Sequence, residues 1–357
     1  MPPVLTILLE IAAAVALGTL LQRLRIPGGM LIGAIIGTAF LSIVFSVGTA
    51  PGWFKLTAQI LTGSYLGCTI SRDEVKQIPK VIAPAVLSVV GFFFLCLACA
   101  LAFEKITGLD ALTSLFCALP GGMTETPLVA MDMGAQVGVV VAAQLVRALF
   151  GMGVLPLIVL SADKVLAPKL GVPSVREKDQ LKGRRTKPDH ALRWMCLTLL
   201  AAAAGGLFGR WTGIPAGGFT FAMVFALLFN LKTDKGWSPL PLRRIAQVLS
   251  GICIGIKITL EELELMKHML LPLVILVGGY SLLCITFGCL FAKKFHMGLR
   301  EAMLSMSPAG ATEVTLIAAD MDVVSSKLLV MHLFRLITAL VVFPQLFRIY
   351  LVIRGLG

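Results

Sequence analysis

Two segments with acidic residues interrupt strongly apolar stretches of this chain. They read LPGGMTETPLVAMDMG (119–134) and SPAGATEV (307–314). In each segment a proline and small residues precede a Thr-Glu pair, a pattern that predicts a helix break with unpaired backbone groups. Inside a membrane, such groups are tolerated only where protein or a water-filled cavity satisfies them. We therefore expect a polar site at each break.

The chemistry expected at this site is the binding of an anion. A half-helix that starts just after each break would direct its N-terminal N–H groups at the break and would favour a carboxylate there. An arginine also lies in the apolar helix that follows each break. For the threonines at the breaks, helix capping is an equal alternative to substrate contact. The predicted substrate-binding residues are Gly121, Gly122, Thr124, Thr126, Arg147, Gly310, Thr312, Thr315 and Arg335.

Ionisable residues near the breaks suggest ion coupling, because charges inside a membrane are costly and usually pair or line a polar pathway. One interpretation is that at least one acid binds a proton or cation during transport. The other is that Glu125 with Arg147, and Glu313 with Arg335, form neutral pairs that fix each segment. His332 replaces Gln144 and is either a hydrogen-bonded structural residue or a proton relay. The predicted coupling residues are Glu125, Asp132, Glu313, Asp320 and His332.

The composition predicts an all-α polytopic membrane protein. Of the 357 residues, 57% are hydrophobic and 14% are charged, and the mean hydropathy is +0.92. Apolar runs long enough to cross a bilayer recur about ten times along the chain. The net charge of +12 lies in short loops and one linker, which is typical of topology determinants and argues against nucleic-acid binding. The eight cysteines lie in apolar runs and are expected to pack as small hydrophobes.

The chain contains an internal repeat in which every matched pair of positions has the same separation along the sequence. We call this separation, the number of residues from Pro120 to Pro308, the repeat offset. It also pairs Arg147 with Arg335, and the alignment of the two copies needs no gap. The repeat predicts a first membrane repeat at residues 1–160, a basic cytoplasmic linker at 161–191 and a second membrane repeat at 192–357.

Basic residues predict that the two copies are inverted, because Lys and Arg mark cytoplasmic loops. In copy one they follow the first and third spans, and in copy two they follow the second and fourth. Inversion requires an odd number of crossings in each copy. About five transmembrane helices plus a re-entrant hairpin satisfy this parity, giving about 10 to 12 membrane segments in all. A broken helix that crosses fully is the alternative.

The duplicated PGGMTE…AAQLVR (120–147) and PAGATE…MHLFR (308–335) resemble the AbrB-type membrane proteins over essentially the whole chain. The matching positions are Gly122, Glu125 and Arg147, then Gly310, Glu313 and Arg335. The resemblance implies either a regulator of gene expression or an ammonia monooxygenase. An oxygenase needs clustered histidine and carboxylate ligands, whereas the four histidines are scattered. We therefore do not expect an enzyme, a metal or a cofactor.

The expected function is elevator-like secondary transport of a small anionic organic solute, coupled to H⁺ or Na⁺. The alternative is a membrane-bound regulator or sensor of gene expression that acts through a partner and the basic linker. No phosphate-binding motif supports ATP-driven transport. The expected location is the bacterial inner membrane, the expected partners are lipid, solute and coupling ion without nucleic acid, and the expected assembly is a homodimer.

Overall fold

A computed structural model describes most of the chain. The described residues are 3–24, 29–45, 50–69, 72–123, 125–175, 188–214, 217–258, 260, 264, 266–310, 314, 317–318, 321, 323 and 325–355. Within these ranges every regular element is a helix. This agrees with the all-α class predicted from the apolar runs.

The described part of the first half of the chain contains eight helices. They are α1 (Pro3–Arg23), α2 (Gly29–Phe45), α3 (Gly52–Thr69), α4 (Arg72–Thr107), α5 (Ala111–Ala118), α6 (Glu125–Met133), α7 (Val137–Gly153) and α8 (Leu155–Leu170). The second half contains α9 (Ala191–Trp211), α10 (Gly217–Thr233), α11 (Leu240–Gly255), a 3₁₀ turn (Met266–Met269), α12 (Leu270–Lys294), α13 (Leu299–Ser305), α14 (Ser326–Val341) and α15 (Phe343–Ile353).

Several of these helices fit a multi-pass membrane protein. In the described ranges, four are long and apolar enough to cross a bilayer: Leu5–Arg23, Val81–Thr107, Ala191–Trp211 and Lys267–Lys294. The count rises to six if two bent helix pairs each make one span. It is lower than the number of apolar runs, in part because two of the described apolar helices are too short. They are α2 and α10, which contain 17 residues each.

Two apolar runs that the sequence predicts as single helices are bent. The axis turns by 43° between α7 and α8 and by 41° between α14 and α15. Each bend comes just before a proline, Pro156 or Pro344, in the first turn of the following helix. Proline lacks the N–H for an intrahelical hydrogen bond, and its ring clashes with the carbonyl four residues earlier. The two prolines are related by the repeat offset, so both copies of the repeat bend at the same place.

The described chain divides into two compact units, and each takes segments from both halves. Unit 1 comprises Met1–Arg72, Thr124–Val141 and Arg185–Lys267, and unit 2 comprises Asp73–Met123, Ala142–Arg184 and His268–Gly357. The boundaries predicted for the two repeats and the linker stay predictions.

Unit 1 is built on close helix crossings. The α1–α2 and α9–α10 pairs make the most extensive contacts in the unit, and α3 packs against both α10 and α11. At Gly33, a Cβ atom would lie 2.3 Å from the carbonyl oxygen of Leu17. Glycine is therefore needed at this crossing, as is usual where membrane helices approach closely. The short α6 joins this unit through Leu128 and Met131, which lie in the same buried apolar cluster as Ile252.

In unit 2, each short half-helix packs against a helix from the other half of the chain. The half-helix α5 contacts α15, and the corresponding half-helix α13 contacts α8. Each half-helix therefore packs against the helix that follows the bend in the other half. The long helix α12 contacts both α13 and α8.

We predict that Gly33→Ala lowers the thermal stability of the detergent-purified protein, because the added methyl group meets rigid backbone. Overpacking of this kind costs about 1 to 3 kcal/mol. Gly278→Ala is the matched control, since the space around its Cβ position is open. The control is expected to leave the unfolding midpoint unchanged or to raise it slightly. Equal unfolding midpoints for the two variants would show that α1 and α2 can move apart to accommodate the methyl group without loss of stability.

Candidate functional site

The first helix break begins where α5 ends. Asp110 caps the start of α5 by accepting a hydrogen bond from the backbone N–H of Thr113 at 2.8 Å. The helix ends at Ala118, and Leu119 is extended with φ −67° and ψ 126°. The following proline accounts for this conformation, because a residue before proline is disfavoured in the helical region. The break residues 119–122 are buried, so their polar backbone atoms need partners within the protein.

Two side chains of α7 supply these partners. The Gln144 amide nitrogen donates to the carbonyl oxygens of Phe116 (2.9 Å) and Leu119 (3.2 Å). One turn further along α7, Arg147 donates through Nη1 to Leu119 O (3.0 Å) and through Nη2 to Gly121 O (2.5 Å). Gln144 and Arg147 therefore bind the carbonyl end of α5 together. We call this arrangement the carbonyl clamp.

The second half of the chain builds the same clamp at the end of α13. His332 Nε2 lies 2.9 Å from Leu304 O, so this nitrogen carries the proton and donates it. Arg335 donates to the carbonyl oxygens of Ser307 and Ala309, the latter at 2.8 Å. The repeat offset relates each of these donors and acceptors to its counterpart in the first clamp. The sequence repeat is therefore also a repeat of hydrogen bonds.

The clamps place a positive charge at the negative end of each half-helix. The last carbonyls of a helix lack intrahelical donors and carry partial negative charge. Arg147 and Arg335 are both almost fully buried, at 2% and 3% exposure. Guanidinium has five N–H donors in a fixed plane, so one side chain can bind two carbonyls of an extended segment.

A second set of contacts comes from α4 and α12 and is not predicted from the sequence. The thiol of Cys96 donates to Leu115 O (3.4 Å), and that of Cys284 donates to Met303 O (3.1 Å). The repeat offset relates both the two thiols and the two carbonyls. The cysteines are thus hydrogen-bonded to the half-helices as well as buried, and their repeated spacing is the signal that could have indicated this.

An aromatic pair distinguishes the two clamps. The Tyr280 hydroxyl donates to Ala118 O at 3.0 Å, so it acts on the first half-helix. Its counterpart Phe92 has no hydroxyl, and its ring instead lies 5.2 Å from the guanidinium carbon of Arg335, in cation–π geometry. Phe92 and Tyr280 are also in ring contact, with centroids 5.9 Å apart.

The predicted residues of α6 lie in unit 1. Glu125 and Thr126 form its first turn and are buried. Within the described chain, Thr126 Oγ1 has no hydrogen-bond partner. Asp132, near the other end of α6, forms an ion pair with Lys55 and accepts a hydrogen bond from Gln59 Nε2 at 2.5 Å. The sequence suggests neither Lys55 nor Gln59 as a partner of Asp132.

The remaining predicted residues are placed only in part. Gly121 and Gly122 are buried at the first break, and Gly310 is half-buried at the second. Thr124, Thr312, Glu313, Thr315 and Asp320 lie outside the described residues. The ion pairs predicted for Glu125 and Glu313 with the arginines stay predictions. Among the described residues, no three His, Cys, Asp or Glu side chains are grouped so that they could hold a metal ion.

The fold and the clamps define a helical protein of multi-pass membrane type with two interrupted helices. A family model described as "Transition state regulatory protein AbrB" matches residues 1–162 and again residues 165–351. The chain therefore belongs to the AbrB family.

Two curated relatives are similar to part of the chain. "Uncharacterized protein YhjN" of Bacillus subtilis (strain 168) is 26% identical over 161 residues, which cover 43% of this chain and 42% of that protein. "Putative regulator AbrB" of Escherichia coli (strain K12) is 26% identical over 148 residues, which cover 41% of this chain and 42% of that protein. The alignments thus span less than half the length of these relatives.

We predict that Arg335→Met destabilises the protein, whereas His332→Gln does not. Loss of Arg335 removes the described donors to Ser307 O and Ala309 O, and an unsatisfied buried carbonyl costs about 1 to 3 kcal/mol. Glutamine at position 332 restores the residue that the first clamp uses at the equivalent position. Thermal unfolding in detergent measures both variants. If the unfolding midpoint of Arg335→Met equals that of the wild type, the clamp does not stabilise the break.

Proposed function

We propose that this protein is a secondary transporter for a small anionic organic solute, located in the bacterial inner membrane. The carbonyl clamp, built twice, carries the proposal. A buried helix break is costly to maintain, because its backbone groups need a dedicated arginine. A continuous helix would satisfy the same backbone groups without that arginine. Interrupted helices at matching positions of two repeats are the best pointer to the central site of a transporter.

The charge at the breaks favours an anionic solute. Among the described residues, no carboxylate lies within ion-pair distance of Arg335, whose described partners are the two neutral carbonyls and the Phe92 ring. Among the described residues, its charge is therefore compensated by two carbonyl dipoles and an aromatic ring. In copy one, the first N–H groups of α6 and the hydroxyl of Thr126 are suitable donors to a carboxylate.

The clamps modify the role proposed for the arginines. Because their Nη atoms already bind backbone carbonyls, we propose that Arg147 and Arg335 mainly hold the breaks open and contribute long-range positive potential. Direct solute contacts then come from the break and the following turn. In copy one these are Gly121, Gly122, Thr124 and Thr126, and in copy two they are Gly310, Thr312 and Thr315.

The proposed coupling groups are Glu125, in the first turn of α6, and its counterpart Glu313, which lies outside the described residues. Glu125 is buried at 5% exposure. Asp132 is less suitable, because Lys55 already neutralises it. We propose H⁺ as the coupling ion, since a buried carboxyl group can alternate between its neutral and charged forms. Na⁺ is the alternative.

The proposed architecture is an elevator-like homodimer of subunits with two inverted repeats and about 10 to 12 membrane segments. The alternating Lys and Arg loops support the inversion. Crosswise packing of α5 on α15 and of α13 on α8 supports a two-fold relation between the halves within unit 2.

A second candidate function is regulation of gene expression through a protein partner. The description of the family and the name of the E. coli relative favour it. The basic linker would then be the segment that contacts the partner. Transport and regulation are compatible, because a transporter can report solute levels to a partner.

Uptake into proteoliposomes tests the transport proposal. The purified chain is reconstituted, and a panel of labelled organic anions is offered with and without an inward pH gradient. We expect gradient-stimulated uptake of at least one carboxylate by the wild-type protein. Glu125→Gln is expected to retain exchange of solute but to lose stimulation by the gradient, because its amide cannot release a proton.

Asp132→Asn is the matched control, because it removes a charge of the same type from the same helix. It is expected to retain stimulation by the gradient and to lower thermal stability through loss of the ion pair with Lys55. Equal stimulation of wild type and Glu125→Gln would exclude Glu125 as the coupling group. No uptake of any anion, combined with altered gene expression after mutation of the linker, would favour the regulator.

A further inference from the structure

An open cavity of about 490 Å³ lies in unit 2 where the linker begins. Its lining includes Asp163 and Lys164 from α8, where the helix overlaps the predicted linker, Ser174 from the part of the linker that follows α8, and Arg300 from the first turn of α13. This volume is typical of sites for small ligands. The cavity is separate from the carbonyl clamps, and none of its lining residues belongs to them.

The charges that line the cavity favour an anion. Arg300 is anchored by Asp163, which accepts a hydrogen bond from its Nε at 2.7 Å. Nη1 of Arg300 also points to the carbonyl oxygen of Met321, at 3.4 Å. The Asp163–Arg300 pair is neutral, so the exposed Lys164 leaves the lining with one net positive charge. The anchored guanidinium, the ammonium and the Ser174 hydroxyl are the donor types that bind phosphate.

These charges are not part of the repeated architecture. By the repeat offset, the counterparts of Asp163 and Lys164 are Leu351 and Val352, and the counterpart of Arg300 is Leu112. The other half of the chain thus builds the same helices with apolar residues at all three positions. The repeated fold is thus built without these charges in the other half, which leaves them available for a function specific to this end of the molecule.

The cavity lies where a membrane surface is expected. The bent pair α7–α8 is much longer than the roughly 20 residues that cross a bilayer. Along α8 the sequence changes from the apolar LPLIVL (155–160) to the polar SADK (161–164). Leu157 and Val165 remain strongly exposed, at 64% and 54%, as expected for side chains that contact acyl chains. The lining cations are therefore expected at headgroup level.

At this cavity, the part of the linker that follows α8 is hydrogen-bonded to the start of α13. The backbone N–H groups of Leu299 and Arg300 donate to the carbonyl oxygens of Pro173 and Ser174, at 2.9 Å and 3.0 Å. A ligand held by Lys164, Ser174 and Arg300 would therefore bridge three segments: α8, the linker and α13. It would stabilise the first turn of the half-helix that ends at the second clamp.

We propose that this cavity binds the phosphate of an anionic phospholipid headgroup and thereby fixes the linker against α13. The recognised chemistry is a phosphate ester. A soluble phosphate ester shares this chemistry, but the adjoining exposed apolar residues favour a ligand with acyl chains.

Native mass spectrometry and thermal unfolding of the full chain in a neutral detergent test the proposal. The probes are phosphatidylglycerol, phosphatidylcholine with the same acyl chains, and soluble glycerol 3-phosphate. We expect phosphatidylglycerol to be retained more strongly and to raise the unfolding midpoint more than phosphatidylcholine. Lys164→Gln is expected to weaken this retention about fivefold, which corresponds to roughly 1 kcal/mol per surface cation.

Lys169→Gln is the matched control, because Lys169 is exposed on the same helix but does not line the cavity. It is expected to retain phosphatidylglycerol as the wild type does. Lys164 is exposed, so its variant is expected to fold, and its unfolding midpoint without lipid verifies this. Equal weakening by both variants, or equal retention of the two lipids, would overturn the proposal. Stabilisation by glycerol 3-phosphate alone would support the phosphate site and assign it to a soluble ligand.

Discussion

The structure around the two helix breaks depends on how their buried carbonyl groups are hydrogen-bonded. A helix that ends inside a protein leaves its last carbonyls without backbone donors, and leaving them unsatisfied is expensive. At both breaks the clamp donors come from one face of a helix later in the same half of the chain, α7 or α14. Gln144 and Arg147 serve the first break, and His332 and Arg335 serve the second. Without these side chains, the last carbonyls of both half-helices would lose their described side-chain donors.

The two clamps share their acceptors but differ in some of their donors. The arginines and the cysteine thiols are retained at equivalent positions of the two copies. In contrast, histidine replaces glutamine at position 332, and the tyrosine hydroxyl of α12 has no counterpart on α4. The repeated contacts therefore define the shape of the break, while the variable ones give each break its own polarity. This division is expected if the two breaks share an architecture and differ in their detailed tasks.

Unit 1 is held together by contacts of a different kind. Glycine-mediated crossings such as the one at Gly33 bring helix backbones close together and leave little room for movement. The second half-helix α6 belongs to this unit through its apolar face and through the ion pair between Asp132 and Lys55. Its first turn contains the buried Glu125 and Thr126. An element that is fixed at one end and polar at the other is suited to present donors to a ligand.

The sequence alone determined the helical membrane class, the offset of the repeat and the positions at which α5 and α13 end. These properties are local, since hydropathy over one span and a proline after a helix act on neighbouring residues. The prolines responsible for the bends at Val154 and Val342 are also visible in the sequence, but apolar composition alone does not distinguish a bent span from a straight one.

Only the tertiary structure decided which groups meet. The sequence does not suggest that Arg335 binds two backbone carbonyls and lies against the ring of Phe92. It suggests a coupling role for Asp132, which forms an ion pair with Lys55. In the sequence Tyr280 is an ordinary residue of an apolar span, and only the fold brings its hydroxyl to Ala118 O. Such partners are far apart in the chain, and their distance depends on how separate helices pack, which no local pattern encodes.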